Sequence, residues 1–134
     1  MKNKTTLVTL ILTAVFIILG YFAYMKFIRS GYLNNPMKTE ELVLGQGQSL
    51  VLVKNESQTD IYNIEIEVIG EVSGIFDIVV SNEQTPVHTI ALKGKDVEYT
   101  YKGDWYSDTC FVSIEGRDNA TGKLTLNYRF LGMN

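Results

Sequence analysis

Hydrophobic residues are distributed in two different ways along this chain. From Thr5 to Met25 no charged residue occurs, and the stretch is dominated by aliphatic and aromatic side chains. A helix of these residues would be about 31 Å long at ~1.5 Å per residue, which matches the hydrocarbon core of a bilayer. The pattern predicts a transmembrane helix over residues 5–26, preceded by a short basic tail over residues 1–4.

A buried core helix and a cleaved signal peptide both fit this apolar segment less well. A buried helix of a soluble protein usually has a polar face, and here only threonines interrupt the apolar surface. A cleaved signal peptide has a shorter apolar core and ends in small residues, whereas this run ends in aromatic residues and Lys26. We therefore expect an uncleaved anchor.

The C-terminal end of the predicted helix carries side chains that favour the boundary between lipid and water. They are Tyr21, Phe22, Tyr24, Lys26, Phe27 and Arg29. Lys2 and Lys4 flank the other end, so the positive charges do not decide the orientation. A short basic tail before the first hydrophobic segment is typical of a signal anchor. We expect a single-pass protein of the cell membrane with its C-terminal domain on the extracytoplasmic side.

The pattern changes after residue 26. Residues 27–40 contain glycine, asparagine and proline, which break helices and strands, and they predict a linker. From residue 41 apolar and polar residues alternate, which predicts a β domain over residues 41–134. The predicted strands are 41–45, 48–54, 61–69, 75–81, 87–92, 97–102, 109–115 and 123–131, with a turn at 70–74 and a hairpin loop at 116–122.

These short strands follow one another at near-regular spacing, with no amphipathic helix between them. This arrangement predicts an all-β fold, an antiparallel β-sandwich. An immunoglobulin-like and a jelly-roll topology both fit, and the spacing does not choose between them.

Charge separates the chain into the same two parts. Residues 1–30 contain four of the twelve Lys and Arg residues and no acid, which leaves eight bases against fifteen acids, a formal −7, in residues 31–134. An acidic domain does not suit nucleic acid, whose phosphates require cations, so no nucleic-acid partner is expected. The only cysteine, Cys110, lies in a predicted strand, where we expect a small buried side chain and no intramolecular disulfide.

No catalytic or cofactor motif is present. His88 is the only histidine, which argues against zinc, and no G-x-S-x-G motif occurs. We therefore expect neither an enzyme nor a small-molecule cofactor. Asp104, Asp108, Glu115 and Asp118 lie near the ends of the last strands and could bind Ca²⁺ if they converged, although aspartate is also common in solvated turns.

The loop GDWYSD places Trp105 and Tyr106 between Asp104 and Asp108. Aromatic rings on a polar loop are suited to stacking on sugars or to binding a protein. The alternative, which we favour for the tryptophan, is that Trp105 folds back to cover the end of the core.

Together these features predict a non-enzymatic interaction or accessory module that works close to the membrane and binds another envelope or membrane protein. A carbohydrate-binding surface module that uses Trp105 and Tyr106 is the alternative.

Overall fold

A computed structural model describes residues 2–29, 35–45, 47–83 and 85–133, without the side chains of Lys2, Phe27 and Arg29. The chain begins with α1 (Lys2–Ala23) and a π-helical segment (Tyr24–Arg29). The strands that follow are β1 (Lys38–Leu44), β2 (Gln48–Val53), β3 (Ile61–Asn82), β4 (Thr85–Lys93), β5 (Val97–Asp104) and β6 (Thr109–Gly132).

The N-terminal helix makes an apolar rod. Between Asn3 and Lys26 its mean hydropathy is 2.4, and none of that stretch is buried. It therefore differs from the core helix of a soluble protein and has the length and composition of a membrane anchor or a secretory signal.

Two threonines in the middle of this helix have their hydroxyl groups hydrogen-bonded. Thr9 Oγ1 donates to the Thr5 carbonyl and Thr13 Oγ1 to the Thr9 carbonyl, each at 2.9 Å. An unpaired hydroxyl in hydrocarbon would cost roughly 2–7 kcal/mol. Because these hydroxyls bond within the helix, they are compatible with a lipid environment.

The predicted linker is shorter than expected at both ends. The helical backbone continues to Arg29, and β1 begins at Lys38, while residues 30–34 lie outside the described residues. Asn35 is already buried, and its Oδ1 accepts a hydrogen bond from Asn55 Nδ2 at 2.7 Å. The described part of the β domain therefore begins at Asn35, within the predicted linker.

Two pairs of predicted strands are each one continuous strand. The predicted strands 61–69 and 75–81 form β3, and those at 109–115 and 123–131 form β6. The predicted hairpin at 116–122 is wrong, because the two halves of β6 do not pair with each other. Both halves pair with β3 in one antiparallel ribbon, from Ile61 opposite Gly132 to Ser81 opposite Phe111.

The shorter strands extend this ribbon on both sides. β1 pairs with the C-terminal half of β6 and β2 with its N-terminal half. β5 pairs with the N-terminal half of β3 and β4 with its C-terminal half. We name the order β1–β6–β3–β5 layer I and the order β2–β6–β3–β4 layer II. The central strands β3 and β6 pass from one layer to the other.

Glycines allow the ribbon to bend between the layers. A Cβ at Gly70 would collide with the carbonyl oxygen of Lys123, and one at Gly122 with that of Glu71. Both glycines have positive φ angles, +159° and +150°, which other residues rarely adopt. The glycines that were predicted to reverse the chain therefore bend it instead.

The inner sides of both layers contribute to one hydrophobic cluster. Its fully buried members include Ile66 and Leu126 from layer I and Phe76 and Val112 from layer II. Because one core contains side chains from both halves of β3 and β6, the two layers pack face to face. The predicted class is confirmed: an antiparallel, jelly-roll-like β-sandwich preceded by one apolar helix.

Candidate functional site

The outer side of layer I is charged. Arg129 bonds to Glu65 at 2.7 Å, with side chains only 15% and 17% exposed. Asn127 donates to Glu67 at 2.9 Å. Further exposed charges on this side are Glu41, Glu71, Glu98, Lys102, Asp104 and Lys123. This surface is covered by groups that interact well with water.

The outer side of layer II is different, and we call its central part the uncharged face. The face crosses all four strands of the layer, and no described residue in it carries a charge. It consists of Ser49, Val51, Val53, Val79, Ser81, Val87, Thr89, Thr109, Phe111 and Ser113.

Two apolar members of this face lie directly opposite each other on neighbouring strands. Val51 of β2 lies opposite Phe111 of β6, which lies opposite Ser81 of β3. Val51 is 53% exposed, while Phe111 is half-buried. Exposed apolar side chains that lie next to each other are common at interaction sites.

Toward the bend, charges reappear on the outer side of layer II. Arg117 binds both carboxylate oxygens of Asp77, at 2.5 and 2.7 Å. This pair bounds the uncharged face at the end where the ribbon folds. The face therefore occupies the half of layer II nearest the start of the β domain.

A second candidate surface is an open groove of about 570 Å³ at the end of the domain opposite the bend. Tyr62 and Tyr106 line it, together with Asp60, Asp108 and Met133. Tyr106 is 79% exposed, and Lys54 Nζ lies 3.5 Å from Asp108. The groove combines aromatic rings with carboxylates.

Trp105 does not belong to this groove. It is 3% exposed and packs in the core, and its Nε1 donates to the Thr109 carbonyl at 3.0 Å. This matches the alternative in which the ring covers the end of the core. The prediction of Trp105 as a surface binding residue is therefore wrong, because its indole ring and its N–H group both have contacts inside the domain.

The four acidic residues considered for calcium are not brought together. Asp104 and Asp108 lie at the groove end, whereas Glu115 and Asp118 lie at the bend. No group of three His, Cys, Asp or Glu side chains suited to a metal ion occurs in the described part of the chain.

His88 lies in an aromatic cluster rather than alone at a rim. Its ring stacks on Tyr101 with centroids 4.8 Å apart, and Nε2 lies 2.5 Å from Tyr99 Oη. Burial raises the pKa of both tyrosines. These rings close the gap between the edges of β4 and β5, which is a structural role.

The residues predicted to lie at the lipid boundary are partly described. Tyr21, Phe22, Tyr24 and Lys26 are exposed, and the rings of Tyr21 and Phe22 meet edge to face with centroids 6.3 Å apart. The side chains of Phe27 and Arg29 lie outside the described residues. The exposed rings fit the boundary prediction, which itself awaits a test with lipid.

The uncharged face was not predicted from the sequence, although the outward residues of its strands contain a signal for it. In the segments that form the face, the residues that alternate with the core residues are also uncharged, as in QSLVLV of β2. In β3 the outward residues change from Glu65 and Glu67 in layer I to Val79 and Ser81 in layer II. A comparison of both sides of every strand would have revealed the contrast.

Comparisons with known proteins concern the β domain. No family model matches the chain, and no curated protein sequence matches it. Among solved structures, a domain of disulfide-linked pili, the endospore appendages of Bacillus, is 16% identical, with a TM-score of 0.42 over 72% of this chain and 89% of that chain.

Two further structures align over a similar length. The pre-peptidase C-terminal domain of a collagenase from Bacillus anthracis is 16% identical, with a TM-score of 0.47 over 70% of this chain and 90% of that chain. A family 29 carbohydrate-binding module complexed with cellulohexaose is 12% identical, with a TM-score of 0.39 over 73% and 81% of the two chains. These likenesses concern the arrangement of strands alone.

Proposed function

We propose that this chain is a single-pass membrane protein whose β domain is a non-enzymatic interaction module, and that it binds another envelope or membrane protein through the uncharged face. The contrast between the two outer sides carries the proposal. The outer side of layer I exposes paired charges to solvent. The uncharged face lacks them over four strands, which favours burial against a partner.

The connection to the helix supports a role near the membrane. The described helical backbone ends at Arg29, and the first buried residue of the domain is Asn35. The chain between them spans at most about 21 Å at ~3.5 Å per residue. The partner surface must therefore lie close to the bilayer.

A pair of substitutions on β6 tests the proposed face. Phe111 and Thr125 are both half-buried and outward-facing, one in layer II and one in layer I. The tagged full chain would be purified in mild detergent from its native membranes. We expect Phe111→Lys to lose the co-purified membrane protein and Thr125→Lys to keep it.

Two outcomes would contradict the proposal. If the wild-type chain is recovered without a second protein, the interaction role falls. If Phe111→Lys keeps the partner while Thr125→Lys loses it, the binding surface is layer I. The fluorescence of Trp105, the only tryptophan, would show that both variants remain folded.

The proposed extracytoplasmic location has its own test. Protease added to intact cells or spheroplasts should remove a C-terminal tag if the domain is outside. A tag that is cleaved only after the membrane is opened would place the domain in the cytosol. Secretion of a shortened chain into the medium would identify the helix as a cleaved signal.

Carbohydrate binding remains the second candidate, now without Trp105. Its specific support is that Tyr62 and Tyr106 line one groove beside two aspartates, which suits ring stacking and hydroxyl recognition. A glycan array should show binding by the wild type and by Tyr106→Phe, and loss with Tyr106→Ala. An array without any binding by the wild type would end this candidate.

A further inference from the structure

The chain enters the β domain at one end of the sandwich, and hydrogen bonds hold it there. Asn55 Nδ2 donates to Asn35 Oδ1 at 2.7 Å, and Asn55 N donates to Gln58 Oε1 at 3.0 Å. Gln58 is buried, and its Nε2 donates to the Phe130 carbonyl at 2.6 Å. Because these buried polar groups are bonded to one another, the chain that leads from the helix is held against the domain from Asn35 onward.

We call this end of the domain the tether end. Thr59 N donates to the Met133 carbonyl at 2.7 Å, and Trp105 N donates to the Tyr62 carbonyl at 3.1 Å, so several segments are joined here. The bend between the layers lies at the opposite end. The tether end consists of Asn35, residues 54–60 between β2 and β3, residues 105–108 between β5 and β6, and Met133.

The length of the connection limits which end of the domain can face the bilayer. In layer I, β3 runs from Ile61 at the tether end to Gly70 at the bend, about 30 Å at ~3.3 Å per residue. With the helix in the membrane, Asn35 lies at most about 21 Å from Arg29 at ~3.5 Å per residue. An upright domain with its bend on the bilayer would place Asn35 about 30 Å above the surface, beyond this reach. An upright domain therefore faces the bilayer with its tether end.

The side chains of the tether end favour the boundary between water and lipid. Tyr106 is 79% exposed, more than any other large hydrophobic side chain that the structure describes in the β domain. Tyr62 and Met133 are also exposed and line the same open groove as Tyr106. A tyrosine ring combines an apolar body with a polar hydroxyl group, which suits the headgroup region of a bilayer. This end is therefore suited to contact with a lipid surface.

The charges of the tether end favour one class of lipid. Residues 54–60 and 105–108 contain one lysine and three acids, a formal −2. Lys54 pairs with Asp108 at 3.5 Å, whereas Glu56 and Asp60 are exposed and have no ion pair within the described part of the chain. Exposed carboxylates are repelled by anionic lipid and attracted by the ammonium group of a zwitterionic headgroup. The charges therefore favour a zwitterionic surface.

We infer that the tether end rests on the headgroup layer of the bilayer that holds α1, with Tyr106 among zwitterionic headgroups whose ammonium groups lie beside Glu56 and Asp60. The inference rests on the proposed anchoring and adds to it a contact between the domain and lipid. The strands then stand upright on the membrane, because β3 runs from the tether end to the bend. The uncharged face points along the membrane plane, where a neighbouring membrane protein can reach it.

A fluorescent label on an introduced cysteine tests this contact in the full chain in lipid nanodiscs. Ser57→Cys carries the label at the tether end, and Ser73→Cys is the matched control at the bend, since both serines are exposed. Native Cys110 is buried, and burial raises the pKa of its thiol to about 12, so the wild type should stay unlabelled. With nitroxide-labelled headgroups in phosphatidylcholine nanodiscs, we expect quenching of the emission at residue 57 and none at residue 73.

Lipid composition tests the charge argument. Phosphatidylethanolamine should preserve the quenching of the label on Ser57→Cys, and anionic phosphatidylglycerol should weaken it. The double substitution Glu56→Gln and Asp60→Asn should restore quenching in phosphatidylglycerol. The matched double substitution at the bend, Glu71→Gln and Asp96→Asn, should not restore it, because these exposed acids lie away from the surface.

Tyr106 is tested with the same label at residue 57. Tyr106→Ala should reduce the quenching in phosphatidylcholine, because it removes the most exposed ring of the tether end. Tyr106→Trp keeps an amphipathic ring and should preserve the quenching. Phe111→Lys should also preserve it, although the proposed function predicts that this variant loses the membrane partner.

Several results would overturn the inference. Equal quenching at residues 57 and 73 would show that the domain lies on its side, and no quenching at residue 57 would remove the contact with lipid. Quenching that is as strong in phosphatidylglycerol as in phosphatidylcholine would remove the preference for ammonium groups. A label at residue 57 that is shielded in native membranes, yet not quenched in nanodiscs, would assign the tether end to a protein.

Two further measurements separate this inference from the proposed functions. If the chain resists alkaline extraction from native membranes but its label at residue 57 is not quenched, the anchoring stands and the lipid contact fails. A chain that alkali extracts would overturn both. Any oligosaccharide binding that requires Tyr106 should be weaker in nanodiscs than in detergent, because the groove faces the headgroups, and equal binding would contradict the inference.

Discussion

The two layers of the β domain share their central strands and their core, yet their outer sides are unlike. On layer I the outward residues of β3 and β6 are paired ions and amides, such as Glu65 with Arg129. On layer II the corresponding positions are valine, serine, threonine and phenylalanine. Because both sides belong to the same strands, the difference cannot be attributed to strand formation and points to different surroundings of the two sides.

The difference also locates the acidic charge of the domain. Most of the charged outward residues lie on layer I or at the ends of the strands. A protein that needed only solubility could place charge on either side. The contact with a partner that we propose for the uncharged face would account for this distribution of charge.

The largest effect is expected where the two layers join. Gly122→Val would place side-chain atoms against the Glu71 carbonyl and force an unfavourable φ angle. We expect a loss of roughly 3 kcal/mol or more in the free energy of unfolding. Denaturant unfolding of the full chain in detergent, followed by Trp105 fluorescence, would measure it.

Gly94 supplies the control for that prediction. It also has a positive φ angle, +112°, but a Cβ there would meet open space. Gly94→Ala should therefore cost only about 1–2 kcal/mol. Equal losses at the two glycines would mean that close approach of the backbones does not hold the layers together.

A smaller effect is expected on the outer side of layer I. Arg129→Met removes the partner of the half-buried Glu65 and should lower the free energy of unfolding by roughly 1–3 kcal/mol. The matched variant Arg117→Met breaks the pair with Asp77, in which the arginine is more than half exposed, and should cost less than Arg129→Met because water screens the pair. The same unfolding measurement applies, and a larger loss for Arg117→Met would contradict the expected order.

On the uncharged face, stability should hardly change. Val87 is exposed on β4, so Val87→Lys should alter the free energy of unfolding by less than about 0.5 kcal/mol. Retention on a hydrophobic interaction column should fall, because a charge replaces an exposed apolar side chain. Strong destabilisation by Val87→Lys would show that this face contributes to the fold itself.

A further loss of stability is expected only at alkaline pH. Burial raises the pKa of Cys110 from 9.0 to about 12, so the unfolded chain loses this proton at lower pH than the folded one. The stability is retained below pH 9 and falls as the pH rises toward 12. The melting temperature of Cys110→Ser should fall less steeply with pH over this window. A decline identical to that of the wild type would assign the loss of stability to the tyrosines whose pKa burial raises.

The strands themselves were predictable, but their connections were not. Alternation located the buried positions of β3 and β6, including Ile64, Ile66, Leu124 and Leu126. The glycines at residues 70–74 and 116–122 mark a change of direction, and local sequence does not distinguish a reversal from a bend. That outcome depends on the pairing of β3 with β6, which joins residues up to about 70 positions apart.

The candidate sites were also predictable only in part. Tyr106 was predicted to be exposed, and it is. For Trp105, the loop sequence allowed two environments and the buried one was favoured, while the Thr109 carbonyl that accepts its N–H was identified only by the structure. The uncharged face escaped detection because its members come from four strands that become neighbours only in the folded domain.

The amino-acid sequence by itself determined the apolar helix and the alternation that places side chains on two sides of each strand. Both properties depend on residues that are close along the chain, through helical rise and strand pleating. Only the tertiary structure decided that two long strands bend rather than reverse, and that one outer side is charged while the other has an uncharged face. These outcomes depend on contacts between distant segments, where backbone approach and hydrogen bonding select among patterns that are locally equivalent.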